Sequence, residues 1–320
     1  MLAPAPISVV LPVHNGERFI KLAIESVQRQ TLPISEIIVV DDGSSDGTYE
    51  IAKSLGVQVI RQAHRGVSAA RNVGVRAATN RWTAFIDHDD IWEPEKIECQ
   101  WSAIELHPEV GFVSCSLRWF EDNGTGNQSP EVLIDPPLGE QLCEGGIDYW
   151  ERVRVERPFS RILDCTSNVL IRRDLLMSAG MFNEDLSLNE DLECFLRVIA
   201  RSSFAIVQRP LVRRRIHDKN TSLNNPEGAA DSYYKILDWL RDYPEKYPAG
   251  AARAYNTMLS RSLIATGRAL LDTGQRREAR MLLGRSIRRS WSQRAIVLWF
   301  LTFFKPETFK NLLAIKRKLS

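Results

Sequence analysis

The sequence lacks three features that mark common classes of protein. Its five cysteines are scattered and never spaced C-x-x-C, which fits neither a zinc site nor a disulfide framework, so a reducing cytoplasm is expected. The longest apolar run, Ala295 to Phe304, covers about ten residues and is too short to cross a bilayer. No basic region followed by an apolar one occurs at Met1–Pro6, so no signal peptide is expected.

Glycine patterns that bind phosphate are also absent. No G-x-G-x-x-G follows the first apolar run, and no G-x-x-x-x-G-K-[ST] occurs anywhere in the chain. A nucleotide diphosphate held by this protein would therefore need another group, such as a metal ion, to neutralise its charge.

Charge is nearly balanced overall but unevenly spread. The net charge is +2, yet residues 276–320 hold twelve Lys or Arg against two acids, a net of +10 that leaves −8 for residues 1–275. The body is thus no nucleic-acid binder, whereas the C-terminal segment favours an acidic partner. An anionic membrane surface and a packed helical subdomain with a solvated basic face both fit this segment.

Short apolar runs alternate with helical patterns through the first half of the chain. This order predicts a parallel, doubly wound α/β sheet. The predicted strands are Ile7–Val13, Glu36–Val40, Val57–Ile60, Trp82–Ile86 and Val110–Arg118, and the predicted helices are Arg18–Gln30, Thr48–Leu55, Val67–Ala78 and Glu93–Leu106.

Three of these strands end in polar clusters: His14-Asn15, Asp41-Asp42 and Asp87-His88-Asp89-Asp90. Ligands of open α/β sheets bind beyond the carboxyl ends of the strands, so the clusters should meet at one edge. Carboxylates two residues apart repel each other unless a cation lies between them, and Mg²⁺ or Mn²⁺ prefers such oxygen ligands. A solvated turn is the alternative explanation for an isolated D-x-D.

The second half is less regular. Ile162–Arg172 contains a predicted strand, Tyr149–Arg157 is predicted to be helical, and Leu192–Ala200 reads as an amphipathic helix opened by Glu190 and Asp191. Acids in a first helical turn also complement the helix dipole, so stability alone could explain these two. Leu211–Arg215 resembles a basic strand that leads to His217. From Ala229 onward the pattern is helical, with a predicted hairpin of 263–271 and Arg276–Arg289.

Five motifs in order resemble glycosyltransferase family 2, the inverting nucleotide-sugar enzymes with the GT-A fold. They are VLPVHNGE at 10–17, VVDDGSSDGT at 39–48, GVSAARNVG at 66–74, FIDHDD at 85–90 and NED at 189–191, and the resemblance covers about residues 7–222. It implies a Rossmann-like, nucleotide-binding mixed sheet flanked by helices, with a C-terminal helical extension. It further implies a GT-A domain at 1–225, with a donor half to about 118 and an acceptor half from 119, followed by the basic helical extension at 226–320.

The resemblance also implies roles for individual residues. Asp191 would be the general base and Glu190 a second catalytic residue, while Asp89 and His217 would hold Mn²⁺ or Mg²⁺. Asp42 would accept a hydrogen bond from the uracil imide of a UDP-sugar. The other residues implied to bind the donor are Pro12, Val13, His14, Asn15, Glu17, Arg71, Asp87 and His88. His14 stands where the family more often has Tyr, and a ring that can stack is retained.

The implied activity is inverting transfer of a sugar from a nucleoside-diphosphate sugar to a glycan or lipid-linked acceptor in polysaccharide biosynthesis. The enzyme would be cytoplasmic, with the basic tail on the inner face of the membrane. Two other interpretations remain open at this point. A non-catalytic scaffold of the same fold would bind the nucleotide-sugar without turnover. A nucleotidyltransferase would favour a glycine-rich basic loop after the first strand, and Gly16-Glu17-Arg18 matches that poorly.

Overall fold

The computed structural model describes most of the chain. Its described residues are 4–121, 132–134, 146–150, 165–217, 226–247, 251–272, 274–289 and 292–303. Ten strands of these residues form one sheet: β1 Ala5–Val13, β2 Ile34–Asp41, β3 Gln58–Arg61, β4 Trp82–Phe85, β5 Ile91–Trp92, β6 Val110–Glu121, β7 Val132–Ile134, β8 Ile147–Trp150, β9 Leu170–Arg172 and β10 Ser203–Ile216.

Helices cover the sheet and then continue beyond it. They are α1 Ile20–Gln28, α2 Thr48–Ser54, α3 Val67–Ala77, α4 Lys96–Leu106, α5 Arg173–Ser178, α6 Glu190–Ile199, α7 Pro226–Asp242, α8 Ala251–Asp272, α9 Arg276–Arg289 and α10 Gln293–Leu301. A 3₁₀ turn at Thr166–Asn168 precedes β9. In the part of the chain that the structure describes, no helix is long and apolar enough to span a membrane.

The sheet is mixed, in the order β3-β2-β1-β4-β9-β6-β10-β5, with β7 beside β6 and β8 beside β10. The first four strands of this order are mutually parallel, as predicted, and so are β6 and β10. The parallel arrangement predicted for the first strands does not extend to the whole sheet, because β9 enters antiparallel between β4 and β6. The mixed sheet agrees with the resemblance.

Both faces of the sheet are buried, which explains the continuous apolar runs of its strands. Successive side chains of β1 point to opposite faces, so Val9 and Leu11 belong to one core cluster and Val10 to the other. On the second face α3 lies so close to β1 that a Cβ built on Gly74 would be 2.3 Å from Cγ1 of Val10. A residue with a side chain does not fit at this helix position.

The first helix of the C-terminal extension completes this second core. Ile236 and Leu240 of α7 pack in the same cluster as Phe195 of α6. The hydroxyl of Tyr247 donates a hydrogen bond of 2.7 Å to Oε1 of Glu193, which is buried in α6. The extension is therefore joined to the helix that begins at Glu190. The division at residue 225 stays a prediction.

The predicted helix hairpin is confirmed by α8 and α9. Gly274 takes φ +85° in the turn, a conformation that favours glycine. The prediction of a helix at Tyr149–Arg157 is wrong at its start, since Tyr149 lies in β8, and residues 151–157 are outside the described residues. Only the basic end of the long strand β10, Leu211–Arg215, was predicted as a strand. The first half of β10 is an apolar segment without a distinctive pattern and was not assigned.

Candidate active site

A cleft of about 750 Å³ opens at the carboxyl ends of β1, β2 and β4. It contains the polar strand ends that the sequence predicted to meet there. Ten of the thirteen predicted site residues line it: Pro12, Val13, His14, Asp42, Arg71, Asp87, His88, Asp89, Glu190 and Asp191. The segments are far apart in sequence, so the fold assembles the site.

Arg71 lies in the floor of the cleft and donates hydrogen bonds to three residues from different segments. Its Nη1 donates to Oε1 of Glu190 at 2.6 Å, and its Nη2 donates to Oδ1 of Asp87 at 2.8 Å and to Oγ1 of Thr166 at 3.0 Å. Burial lowers the pKa of Arg71, but the charges of Asp87, Glu190 and Asp191 outweigh burial and raise it overall. The guanidinium thus links the acidic end of β4 to the start of α6.

The 3₁₀ turn at Thr166–Asn168 makes hydrogen bonds to the acidic segment Asp87–Asp90 that follows β4. Oγ of Ser167 accepts a hydrogen bond from the backbone N–H of Asp87 at 3.0 Å and donates one to Oδ2 of Asp90 at 2.5 Å. Asp90 also accepts the backbone N–H of Arg215 at 3.2 Å. Its pKa is raised by burial and by the charges of Asp89 and Asp87. Thr166 and Ser167 were missed in the sequence because no motif distinguishes them.

The fold brings together the two predicted metal ligands, Asp89 from the segment between β4 and β5 and His217 from the position directly after β10. Oδ2 of Asp89 lies 3.0 Å from Nε2 of His217. Burial raises the pKa of Asp89, but the hydrogen bond to His217 and the nearby charges of His88 and His217 hold it below its usual range.

This pair could hold a divalent cation only together with a substrate. Within the described ranges, no group of three or more His, Cys, Asp or Glu is arranged to hold a metal by itself. Mg²⁺ is commonly bound by one or two carboxylates plus substrate phosphates, and Mn²⁺ accepts both carboxylate and imidazole ligands. Asp89 lines the cleft, and the imidazole of His217 lies directly behind it outside the cleft lining, so the two fit that description once a substrate phosphate is present.

Asp42 is already fully engaged inside the protein. Its Oδ1 accepts hydrogen bonds from Nε2 of Gln62 at 2.6 Å and from the N–H of Arg65 at 2.9 Å. Its Oδ2 accepts the N–H of Gly66 at 2.8 Å and lies 2.9 Å from Nδ1 of His64. A carboxylate has about four acceptor positions, so a base contact would displace one of these partners. Asp42 therefore anchors the loop between β3 and α3.

Two imidazole rings form one wall at this end of the cleft. The rings of His14 and His64 stack with centroids 4.1 Å apart and planes 29° from parallel. Nδ1 of His14 lies 2.9 Å from the carbonyl oxygen of Asp42. The stack provides a flat surface of the kind that a nucleobase can pack against. His64 was not predicted, since a lone His has no sequence signature.

Asn15 and Glu17 lie outside the cleft lining and hold the neighbouring turn. Oδ1 of Asn15 accepts the N–H of Ser45 at 2.9 Å, and Oε2 of Glu17 accepts the N–H of Gly47 at 2.9 Å. Gly47 precedes α2, where free N–H groups favour a carboxylate. These contacts fix the loop after β2 against the end of β1. A role for both residues in donor binding stays a prediction.

The two acids at the start of α6 have different surroundings. Glu190 is only 7% exposed and is paired with Arg71. Asp191 is half-buried, lines the cleft, and accepts the N–H of Leu192 at 2.7 Å through Oδ1. Asn189, with φ +60°, sets the direction of the chain just before them. Asp191 is thus the acid of this pair that a substrate in the cleft can reach.

The loop before α6 forms the opposite wall, which the sequence did not define. Leu186 and Leu188 line the cleft there. Nη2 of Arg65 donates to Oε2 of Glu184 at 2.8 Å, and Oε1 of Glu184 accepts Nδ2 of Asn72 at 3.0 Å. These contacts join the loop before α3 to the segment that carries Asp191.

Sequence comparison identifies relatives of this chain. The profile of Glycosyl transferase family 2 matches residues 8–179. The uncharacterised glycosyltransferase YibD of Escherichia coli (strain K12) is 34% identical over 246 residues, which are 74% of this chain and 67% of YibD. The uncharacterised glycosyltransferase EpsJ of Bacillus subtilis (strain 168) is 43% identical over 196 residues, 58% of this chain and 53% of EpsJ.

Solved structures share the GT-A fold at low identity. S. aureus TarS 1-349 in complex with UDP-GlcNAc superposes with a TM-score of 0.63 at 17% identity, covering 91% of this chain and 83% of that one. The mannosyltransferase PcManGT from Pyrobaculum calidifontis, in complex with GDP-Man and Mn²⁺, gives a TM-score of 0.56 at 18% identity over 98% and 86% of the two chains. At this identity the likeness concerns the fold.

Proposed function

The chain belongs to glycosyltransferase family 2, and we propose that it transfers a sugar with inversion from a nucleotide-sugar donor, a UDP-sugar, to an acceptor hydroxyl. One observation carries the proposal. Arg71 bridges Asp87 and Glu190, so the acidic strand end and the start of α6 with Asp191 share one cleft. A donor on the first and an acceptor beside the second would meet there.

The donor would occupy the part of the cleft formed by the strand ends. Its base would pack near Pro12, Val13 and the His14 ring, with Asp42 at its imide edge, and its ribose near Asp87 and His88. The solved structure of TarS with UDP-GlcNAc favours a UDP donor. The solved structure of PcManGT contains GDP-Man, so GDP-sugars are included in the donor screen described below.

Asp89 and His217 would hold Mn²⁺ or Mg²⁺ together with the donor diphosphate. When bound, the ion would supply Lewis-acid stabilisation of the negative charge on the leaving diphosphate. The relative that binds GDP-Man and Mn²⁺ supports this choice of ion. Asp90, next to Asp89, accepts hydrogen bonds from the hydroxyl of Ser167 and from the backbone N–H of Arg215. These bonds hold the segment with Asp89 beside the end of β10, which His217 follows.

Asp191 would accept the proton of the acceptor hydroxyl as that oxygen attacks the sugar. A carboxylate in this role contributes roughly 10²–10⁴ in rate. A retaining double displacement would need a second carboxylate as nucleophile, by analogy with glycosidases. Glu190 and Asp87 each accept a hydrogen bond from the guanidinium of Arg71 in the cleft floor and form ion pairs with it. One accessible base and two engaged carboxylates favour a single displacement with inversion.

The acceptor would be a glycan or a lipid-linked sugar of polysaccharide biosynthesis, which would lie against Leu186 and Leu188. We propose that residues 1–225 form the catalytic domain and that 226–320 form a basic extension. The basic charge of the extension supports a cytoplasmic enzyme at the inner face of an anionic membrane.

The test uses UDP-, GDP- and dTDP-sugars with Mn²⁺. Asp89→Ala should lose both metal-dependent donor binding and turnover. Asp191→Asn should bind the donor as the native chain does, measured by thermal shift, and release the nucleoside diphosphate roughly 10²-fold or more slowly. Unchanged turnover of Asp191→Asn would contradict the base assignment. The matched control is Asp185→Asn. Asp185 is an exposed acid in the loop before α6 and does not line the cleft, so this variant should remain active.

A further inference from the structure

Helix α10 is apolar on both of its sides. Ala295 and Thr302 are buried against the rest of the extension, whereas Val297 and Phe300 are 57% and 56% exposed. At about 100° per residue, Gln293, Val297 and Phe300 fall within about 60° of one another and opposite Ala295. A helix in water normally carries polar residues on its solvent side. The outer face of α10, defined here as Gln293, Val297 and Phe300, therefore presents two large apolar side chains to the solvent.

The charged residues of α9 and α10 are almost all positive. Arg294 is exposed beside it, and Arg277 and Arg288 are exposed on α9 on the same helical side as the exposed Met281. The guanidinium of Arg280 packs 3.8 Å from the ring of Phe303 and links the two helices. Glu278 is the only acid in the sequences of α9 and α10, and residues 304–320 add five Lys or Arg against one acid.

Three partners differ in how well they match this surface. A second copy of the chain would bring two strongly basic surfaces together. A nucleic acid would leave the valine and phenylalanine side chains unmatched. An anionic bilayer offers acyl chains for an apolar face and phosphates for the flanking arginines, which is how interfacial helices bind.

We propose that the outer face of α10 lies in the headgroup region of an anionic membrane, with the exposed arginines of α9 and Arg294 on lipid phosphates. The inference deepens the proposed function and rests on it for its biological purpose, since a lipid-linked acceptor would be presented at that surface. The surface itself is formed by residues outside the cleft.

The experiment uses the full chain and two kinds of vesicle, phosphatidylcholine with phosphatidylglycerol and phosphatidylcholine alone, in a sedimentation assay. The native chain should bind the anionic vesicles and release from them as salt is raised. Val297→Gln with Phe300→Gln should weaken partitioning roughly 10- to 100-fold through lost apolar burial. Arg277→Gln with Arg288→Gln should weaken it roughly tenfold.

The matched control is Leu22→Gln with Leu106→Gln, which removes two other exposed apolar side chains, 42% and 62% exposed, from helices of the catalytic domain. This variant should bind anionic vesicles as the native chain does. Failure of the native chain to bind them, or equal binding by Val297→Gln with Phe300→Gln, overturns the proposal. It is also overturned if the native chain is a dimer that this double variant converts to a monomer with no change in vesicle binding.

A second readout separates this inference from the proposed function. Release of the nucleoside diphosphate from the donor, measured without vesicles, should be the same in the native chain and in all these surface variants. A native chain that binds anionic vesicles but releases no nucleoside diphosphate from any donor supports the docking surface and contradicts the proposed function. Release of the nucleoside diphosphate without vesicle binding supports the function and overturns the docking surface.

Discussion

Arg71 and Glu190 form an ion pair that the protein almost completely encloses. Nη1 and Oε1 are 2.6 Å apart, and the two side chains are 4% and 9% exposed. The neighbouring Asp191 also lines the cleft but is half-buried and more open to it than Glu190. The two consecutive acids, both implied by the resemblance to be catalytic, therefore have separable roles: Glu190 would position Arg71 and the start of α6, and Asp191 would contact the acceptor.

Substitution of each acid should separate stability from activity. Glu190→Gln removes one of the two carboxylates that form ion pairs with the buried Arg71 guanidinium. It should lower the free energy of unfolding by about 3 kcal/mol, since breaking a buried pair is costly. Asp191→Asn should change it by less, about 1 kcal/mol at most, since the half-buried Asp191 loses only the charge that complements the N-terminus of α6. Urea denaturation measures both. Equal losses in the two variants would contradict the division of roles.

Lys96 should make stability depend on pH in the alkaline range. It is fully buried, its Nζ donates to Oε1 of Gln100 at 2.7 Å, and it lies 3.9 Å from the centroid of the Trp92 ring. Burial lowers its pKa to about 8, against 10.5 for an ordinary lysine. Between these values the unfolded chain binds more protons, so the free energy of unfolding should rise with pH.

The rise from pH 8 to pH 9.5 should be on the order of 2 kcal/mol in the native chain relative to Lys96→Met, measured by urea denaturation at each pH. Lys53→Met, which removes an exposed lysine, should keep the pH dependence of the native chain. The same slope in Lys96→Met and the native chain would show that Lys96 titrates normally.

Gly74→Ala should destabilise the protein because α3 has no room for a side chain there. The new Cβ would lie 2.3 Å from Cγ1 of the fully buried Val10, and overpacking of this kind costs roughly 1–3 kcal/mol. Val10→Ala in the same chain should recover part of the loss. Gly284→Ala is the control, since its Cβ would meet Trp299 at an ordinary 3.5 Å and a helical alanine gains up to about 1 kcal/mol.

Gln62 should compete with the donor base for Asp42. Its Nε2 occupies one of the acceptor positions of Oδ1 at 2.6 Å. Gln62→Leu frees that position, so the dissociation constant of UDP, measured by calorimetry, should fall by roughly 3- to 10-fold, the value of one hydrogen bond. Gln28→Leu, which removes a bond to the carbonyl of Leu55, should leave it unchanged. Weaker UDP binding by Gln62→Leu would show that Asp42 does not read the imide.

Much of the architecture was predictable from local patterns. Strands β1, β2 and β4 were predicted because both faces of each are buried, which requires an uninterrupted apolar run. The hairpin of α8 and α9 follows from helical periodicity around Gly274. The antiparallel entry of β9 was not predictable, because a three-residue strand carries no record of its direction or its neighbours.

The sequence by itself determined which acids and histidines are available and where each follows a strand or opens a helix. Only the tertiary structure decided how they are used. Arg71 donates hydrogen bonds to both Asp87 and Glu190, the loop at 62–66 occupies the acceptor positions of Asp42, and Ser167 donates a hydrogen bond to Asp90. These contacts join residues from 16 to 119 positions apart. Periodicity reports only the surroundings of a residue within its own strand or helix, whereas a hydrogen bond across the cleft depends on where the whole chain returns.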